Sequence, residues 1–271
     1  MKKSTWQILR KGDQSELTLT VDFTSTGRTQ ACFRDLVPMV ETTGDIWETV
    51  APPTGEHRSG EDYVARWVRG VQKRERVVST VIGYCVGAVY AAPLAERLAE
   101  LQGSAPRLIV LDPELPNIAG LYRDFHGAGG ALTTILTPEE LTKFHADGEA
   151  VREKYGLTDI TLIGPALSGI FRSATEVAGV RLGLDEDLRA ELGDSFASFV
   201  AYLRAATEID PLPVWRQAAA ITSVHSTQRE FEFAENVRLE VDHDQMLRHQ
   251  DVAAAVSRLM AAPGPDLRLA G

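Results

Sequence analysis

Cys85 stands between Gly83 and Gly87 in the run Val77-Val78-Ser79-Thr80-Val81-Ile82-Gly83-Tyr84-Cys85-Val86-Gly87-Ala88. A β-rich stretch precedes it and an Ala-rich stretch follows, so the segment reads strand, tight turn, helix. Glycines two positions either side of a central residue permit a sharp, strained turn that pushes its side chain out above a sheet. That arrangement is the nucleophile elbow. A thiol there is a candidate nucleophile, and a helix N-terminus beneath it is expected to favour thiolate over thiol. The plainer alternative is a small buried cysteine between packing glycines; the strand before and the helix after favour the elbow.

Such a nucleophile needs a base, and the base needs an orienting acid. Asp112 closes Arg107-Leu108-Ile109-Val110-Leu111, the strand-like run that follows the elbow helix. Before Pro113 it could also simply cap a turn. His243 follows the strand-like run ending Val241-Asp242 and precedes the last helical segment, the place where an α/β-hydrolase carries its histidine. His57, His126, His145 and His249 show no partner pattern, and His225 is followed by Ser226 and Thr227 rather than an acid. The expected triad, in chain order, is Cys85, Asp112, His243. Acyl transfer also needs two backbone N–H groups for the developing oxyanion. One is expected from Val86, next to the nucleophile, and the other from Thr26 in the loop Phe23-Thr24-Ser25-Thr26-Gly27.

Positioning these residues is the work of an alternating pattern. Strands are expected over residues 17–23, 45–50, 77–84, 107–111, 219–224 and 237–241, with helices over 62–71, over 88–101 ending at Gly103, and over 252–260. Strands alternating with helices predict an α/β fold with a mainly parallel central sheet. Residues 116–211 interrupt the alternation with helical patterns alone and read as an inserted helical lid. The core then comprises residues 1–115 and 212–262, and 263–271 reads as a flexible tail. Within the lid, Phe196, Phe199, Val200 and Leu203 form one apolar stripe, expected to pack as core.

Composition narrows the class of function. The 271 residues are 44% hydrophobic and 24% charged, an ordinary globular balance long enough to bury a large core. With 28 Lys and Arg against 38 Asp and Glu, the net charge is −10, which argues against nucleic acid or an anionic membrane as the main partner. Cys32 and Cys85 are the only cysteines, too few for a disulfide framework or a multi-thiolate zinc site. No His-Glu-x-x-His pattern occurs, and His145 with Glu149 is a lone helical pair, so metal catalysis is disfavoured. Apolar runs all fall short of the ~20 residues a membrane span needs. Met1-Lys2-Lys3-Ser4 leads into no apolar signal region, so a cytoplasmic location is expected.

Taken together, these segments resemble the thioesterase domains of nonribosomal peptide and polyketide synthases and their stand-alone relatives. Phe23-Thr24-Ser25-Thr26-Gly27 is similar to that family's Phe-x-x-Ala-Gly oxyanion loop. Gly83-Tyr84-Cys85-Val86-Gly87 is similar to its Gly-x-Ser-x-Gly elbow, and Leu111-Asp112 to its acid at the end of the following strand. Asp242-His243-Asp244-Gln245-Met246-Leu247 is similar to its His-x-x-Met-Leu signature. The resemblance implies an α/β-hydrolase fold and a substrate acyl, aminoacyl or peptidyl group carried as a thioester on the phosphopantetheine arm of a carrier protein, with no other cofactor. One departure is the cysteine in place of serine, which makes the intermediate a thioester that stays reactive toward amines, thiols and alcohols. Hydrolysis is therefore less firmly implied than transfer. Two rivals remain: a dienelactone-hydrolase-like enzyme, whose Gly-Tyr-Cys-x-Gly elbow is the same but whose acid follows a later strand without a large cap, and a catalytically silent hydrolase-fold protein that only binds a partner. An acidic carrier would need a local basic patch, for which Arg66, Arg69, Lys73, Arg74 and Arg76 are the candidates, although such a run is by default a solvated helix face.

Overall fold

The computed structural model describes residues 4–12, 16–23, 31–52, 58–73, 76–156, 159–224 and 231–262. The chain opens with strands β1 (Trp6–Arg10) and β2 (Glu16–Val21), the short helix α1 (Phe33–Leu36), β3 (Asp45–Thr49) and α2 (Gly60–Gln72). β4 (Val77–Tyr84), α3 (Gly87–Gln102) and β5 (Arg107–Leu111) follow. Four helices come next without a strand among them: α4 (Ile118–Gly130), α5 (Pro138–Tyr155), α6 (Ile160–Arg181) and α7 (Glu186–Ala206). The chain returns through the one-turn α8 (Leu212–Trp215) to β6 (Ala219–Ser223) and β7 (Glu235–Leu239), then a 3₁₀ turn, His243–Arg248, and α9 (Gln250–Ala261).

The seven strands form one sheet in the order β1-β3-β2-β4-β5-β6-β7, parallel throughout except for β1, which runs antiparallel to β3. Side chains alternate between the two faces because a strand has a period of two. In β5, Leu108 and Val110 join the core beneath α2 and α3, while Ile109 and Leu111 join the core beneath α9. Both faces are thus covered, as a parallel sheet requires. The helix α2 starts from a capping box between Ser59 and Asp62 and buries Val64, Trp67, Val68 and Val71 along one stripe. At the far end of α3, Gly103 adopts φ 71 in the left-handed region, which stops that helix where expected.

Register decides where the site lies. Tyr84 pairs with Leu111, Val21 with Gly83, and Leu111 with Ile221. The residues just beyond these pairs, Asp22, Cys85, Asp112 and the β6 terminus, therefore emerge side by side along the carboxyl edge of the sheet.

Two edges differ from expectation. The first strand was expected at residue 17, yet Trp6–Arg10 already forms an edge strand. Its anchor is Trp6, whose Nε1–H donates to the Trp67 carbonyl at 3.0 Å, while Ile8 stays exposed, so the apolar alternation of the strand is faint. At the other edge β7 occupies 235–239 rather than 237–241. Its side chains are mostly exposed or half-buried, and the apolar signal came instead from Val241, which is buried in the loop leading to His243.

Candidate active site

Among the described residues two non-glycine positions have positive φ: Cys85 at 52° and Asp112 at 38°. For a residue with a Cβ this conformation costs on the order of 1–3 kcal/mol and persists only where surrounding structure enforces it. At Cys85 the enforcement is close packing. A Cβ on Gly87 would run into the Val21 carbonyl, and one on Gly83 would run into the backbone of Ala88. Both glycines are thus required for the strand and helix to approach, which is the physical content of the Gly-x-Cys-x-Gly spacing. The Cys85 N–H donates to the Leu111 carbonyl at 3.0 Å and its carbonyl accepts from Ala88 N–H at 3.1 Å, closing the turn at both ends.

Asp112 is 3% exposed. Its Oδ1 accepts from the Ser223 N–H at 2.7 Å and its Oδ2 faces Nδ1 of His243 at 3.0 Å. A carboxylate only accepts, so His243 carries its proton on Nδ1 and leaves Nε2 as the basic nitrogen. The imidazole is also stacked on the Tyr84 ring, with centroids 5.1 Å apart and planes at 21°, and Tyr84 Oη–H donates to the His243 carbonyl at 2.8 Å. A ring nitrogen of His243 lies within 4.8 Å of Cys85 Sγ. The fold therefore brings Cys85, Asp112 and His243 together. Val86, the next residue, is the N-cap of α3, and its N–H lowers the pKa of the Cys85 thiol. Thr26 lies outside the described residues.

Sequence reasoning missed a fourth side chain at the nucleophile. Glu114, 4% exposed, places Oε2 3.5 Å from Cys85 Sγ and 2.9 Å from Arg123 Nη2, while its Oε1 accepts from Asn117 Nδ2–H at 2.9 Å. Burial works against this carboxylate, but Arg123, Asn117 and His243 outweigh it and hold its pKa below the usual range. The signal in the sequence was slight: a second acid two residues after Asp112, whose cation comes from another element.

Glu114 also corrects the expectation of a thiolate. The sulfur sits deep enough that burial dominates, and Glu114 followed by Asp124 adds negative charge beside it, pushing the thiol well above its usual pKa. Arg123 and the Val86 N–H pull the other way and are outweighed. The helix end alone does not ionise Cys85. Donor atoms of Cys85, Glu114 and His243 also lie within 4.8 Å of one another, but the Oε2 that faces the sulfur is already paired with Arg123.

Beside the sulfur opens a cavity of about 280 Å³ with mainly apolar walls, including Phe23, Val86, Leu132, Phe171, Phe196 and Phe199. α4 and α7 supply most of its roof. The stripe on α7 therefore divides its work: Val200 and Leu203 pack as core, as expected, whereas Phe196 and Phe199 also face the cavity. Elsewhere His126 and His145 pair through Nδ1 atoms 3.0 Å apart between α4 and α5, and His249 caps α9. His57 and His225 lie outside the described residues. Cys32 is the N-cap of α1, with Sγ 3.7 Å from an Asp35 oxygen. In the basic stretch, Arg66 bonds the Val50 carbonyl and Arg76 pairs with Asp45 at 2.7 Å, which leaves Arg69 and Lys73 exposed; Arg74 lies outside the described residues.

No family model matches the chain, and no curated protein does. Solved structures do. The NocB thioesterase domain from the nocardicin cluster superposes with a TM-score of 0.54 at 14% identity, over 91% of this chain and 94% of that one. A Vlm2 thioesterase domain bound with a dodecadepsipeptide gives 0.51 at 19% identity, over 96% and 99%. The four-domain nonribosomal peptide synthetase holo-AB3403, bound to AMP and glycine, gives 0.62 at 15% identity, over 96% of this chain and 20% of that larger one. The chain thus has the α/β-hydrolase fold that such thioesterase domains share.

Proposed function

We propose that this chain is a thioesterase-like acyl-transfer enzyme of natural-product biosynthesis. It takes an acyl, aminoacyl or peptidyl group from the phosphopantetheine arm of a carrier protein onto Cys85 and passes it to water or to an amine, alcohol or thiol. The observation that carries this reading is the strained elbow that sets Cys85 beside the His243–Asp112 pair, at the mouth of an apolar cavity.

In the proposed reaction His243 Nε2 removes the thiol proton as sulfur attacks the thioester carbonyl, and Asp112 stabilises the imidazolium that forms. The Val86 N–H stabilises the oxyanion, with the Thr26 N–H proposed as its partner. As the tetrahedral species collapses, the pantetheine sulfur leaves and takes the proton back from His243. Water or a bound acceptor then resolves the acyl-cysteine by the same steps in reverse. Nucleophile, base and acid all come from the chain, so no further cofactor enters the scheme. For docking an acidic carrier, Arg69 on α2 and Lys73 at its C-cap are the exposed cations of the basic stretch.

Against the dienelactone-hydrolase reading stand two features: the acid follows the strand directly after the elbow, and four long helices, α4 to α7, intervene before β6. The test is a time course of thiol release from acyl-N-acetylcysteamine and acyl-carrier substrates, with product analysis in water and with added amine. Thioester turnover lost in Cys85→Ala supports the proposal. Turnover of cyclic enol-lactones with none of thioesters would reverse it, and product formation in the parent pathway left unchanged by Cys85→Ala would make the chain a silent partner protein.

A further inference from the structure

Glu114 is tied to the elbow twice. Its side chain meets the Cys85 sulfur at 3.5 Å, and its backbone N–H donates to the Cys85 carbonyl at 3.3 Å. An isolated buried carboxyl would take up a proton. Here each oxygen faces an N–H donor, Asn117 on Oε1 and Arg123 on Oε2, so the group stays a carboxylate. As a carboxylate it can only accept, and the partner that donates across 3.5 Å is the thiol S–H. The thiol therefore has two competing acceptors, Glu114 and His243, with one atom of each within 4.8 Å of the other and of the sulfur.

We infer that Glu114, clamped by Arg123 and Asn117, is a positioning residue that holds the Cys85 proton at rest and stores the nucleophile as a neutral thiol. The inference rests on Cys85 being the nucleophile proposed above. At attack the proton leaves sulfur for His243 Nε2; Glu114 gains none and keeps its pairing with Arg123. A stored thiol is a poor target for adventitious electrophiles, so reactivity is reserved for a substrate that sits in the cavity and engages His243. The other groups facing the sulfur fit this division. Asp112 serves His243; Asp124, beside Arg123 on α4, adds to the negative field; Tyr202 from α7 and Asp22 from the end of β2 line the same cavity.

The test is the rate of Cys85 alkylation by iodoacetamide as a function of pH, read by peptide mass spectrometry in a Cys32→Ser background. Glu114→Gln removes the charge and keeps the shape; its alkylation midpoint should move down, with the rate at pH 7 rising on the order of tenfold. Arg123→Gln removes the cation that opposes Glu114 beside the sulfur, and in the alkaline range where the thiol titrates Glu114 is still ionised, so its midpoint should move up. Arg123 is partly exposed, and its variant keeps the question answerable if Glu114→Gln does not fold. Opposite shifts support the inference; midpoints that stay put, or move together, overturn it, because a merely structural role has no reason to split them by sign. Alkylation needs no acyl substrate. Absence of thioester turnover would therefore count against the proposed function alone, and acylation of Cys85 with unmoved midpoints against Glu114 alone.

Discussion

Tyr84 and His243 hold each other at two points: their rings stack 5.1 Å apart, and the tyrosine hydroxyl donates to the backbone carbonyl of the histidine at 2.8 Å. The residue that precedes the nucleophile thus fixes the loop that carries the base, although the two are far apart in the chain. Tyr84→Phe keeps the stack and removes the hydrogen bond. It should cost about 1 kcal/mol of stability and lower kcat several-fold with KM unchanged, measured by urea unfolding and steady-state kinetics on one thioester.

Asp112 acts on the same imidazole from the other side. Asp112→Asn retains an oxygen for the Ser223 N–H but loses the charge and the tautomer preference at Nδ1. We expect kcat to fall by roughly 10²–10⁴ with little change in KM, the behaviour of an orienting acid. A loss under tenfold would remove Asp112 from the mechanism.

The elbow glycines are a packing requirement, so Gly87→Ala should destabilise the fold even without substrate. Its methyl meets the Val21 carbonyl, a backbone atom of the central sheet that cannot swing aside. A loss of about 1–3 kcal/mol, typical of overpacking, is expected in denaturant melts, along with lower Cys85 reactivity.

Alkaline stability should report the half-buried thiol of Cys85. Its native pKa is raised, so above the ordinary thiol range the unfolded chain gives up this proton while the native chain keeps it. The contribution is complete below the unfolded pKa and lost as pH rises toward the native one. Cys85→Ala should therefore lose less stability than wild type between about pH 8 and 10, read from urea midpoints across that range. Parallel curves would show that the thiol is not held protonated.

Much of this site was legible in the sequence, for identifiable reasons. β4 and β5 appear over the expected residues because both faces of each are largely buried, so apolar residues dominate successive positions rather than alternate ones. Cys85, Asp112 and His243 were legible because each follows a strand end, and parallel register lines strand ends up on one edge. Glu114 was not, because its role depends on Arg123 and Asn117 and on the path of the loop after β5, which no local pattern encodes. The ionisation of Cys85 was misjudged for the same reason: the helix N-terminus is a local feature, while burial and Glu114 are tertiary. β1 was missed since one buried tryptophan, rather than an alternation, holds it in place.

The central claim is that Cys85 becomes acylated with His243 as its base. It is tested most directly by intact-protein mass spectrometry in single turnover against an acyl-loaded carrier, comparing wild type, Cys85→Ala and His243→Ala. The prediction is one acyl adduct on wild type that maps to Cys85, the same adduct on His243→Ala formed at least about 10²-fold more slowly, and none on Cys85→Ala. An adduct that persists in Cys85→Ala, or that maps to any other residue in wild type, would contradict it.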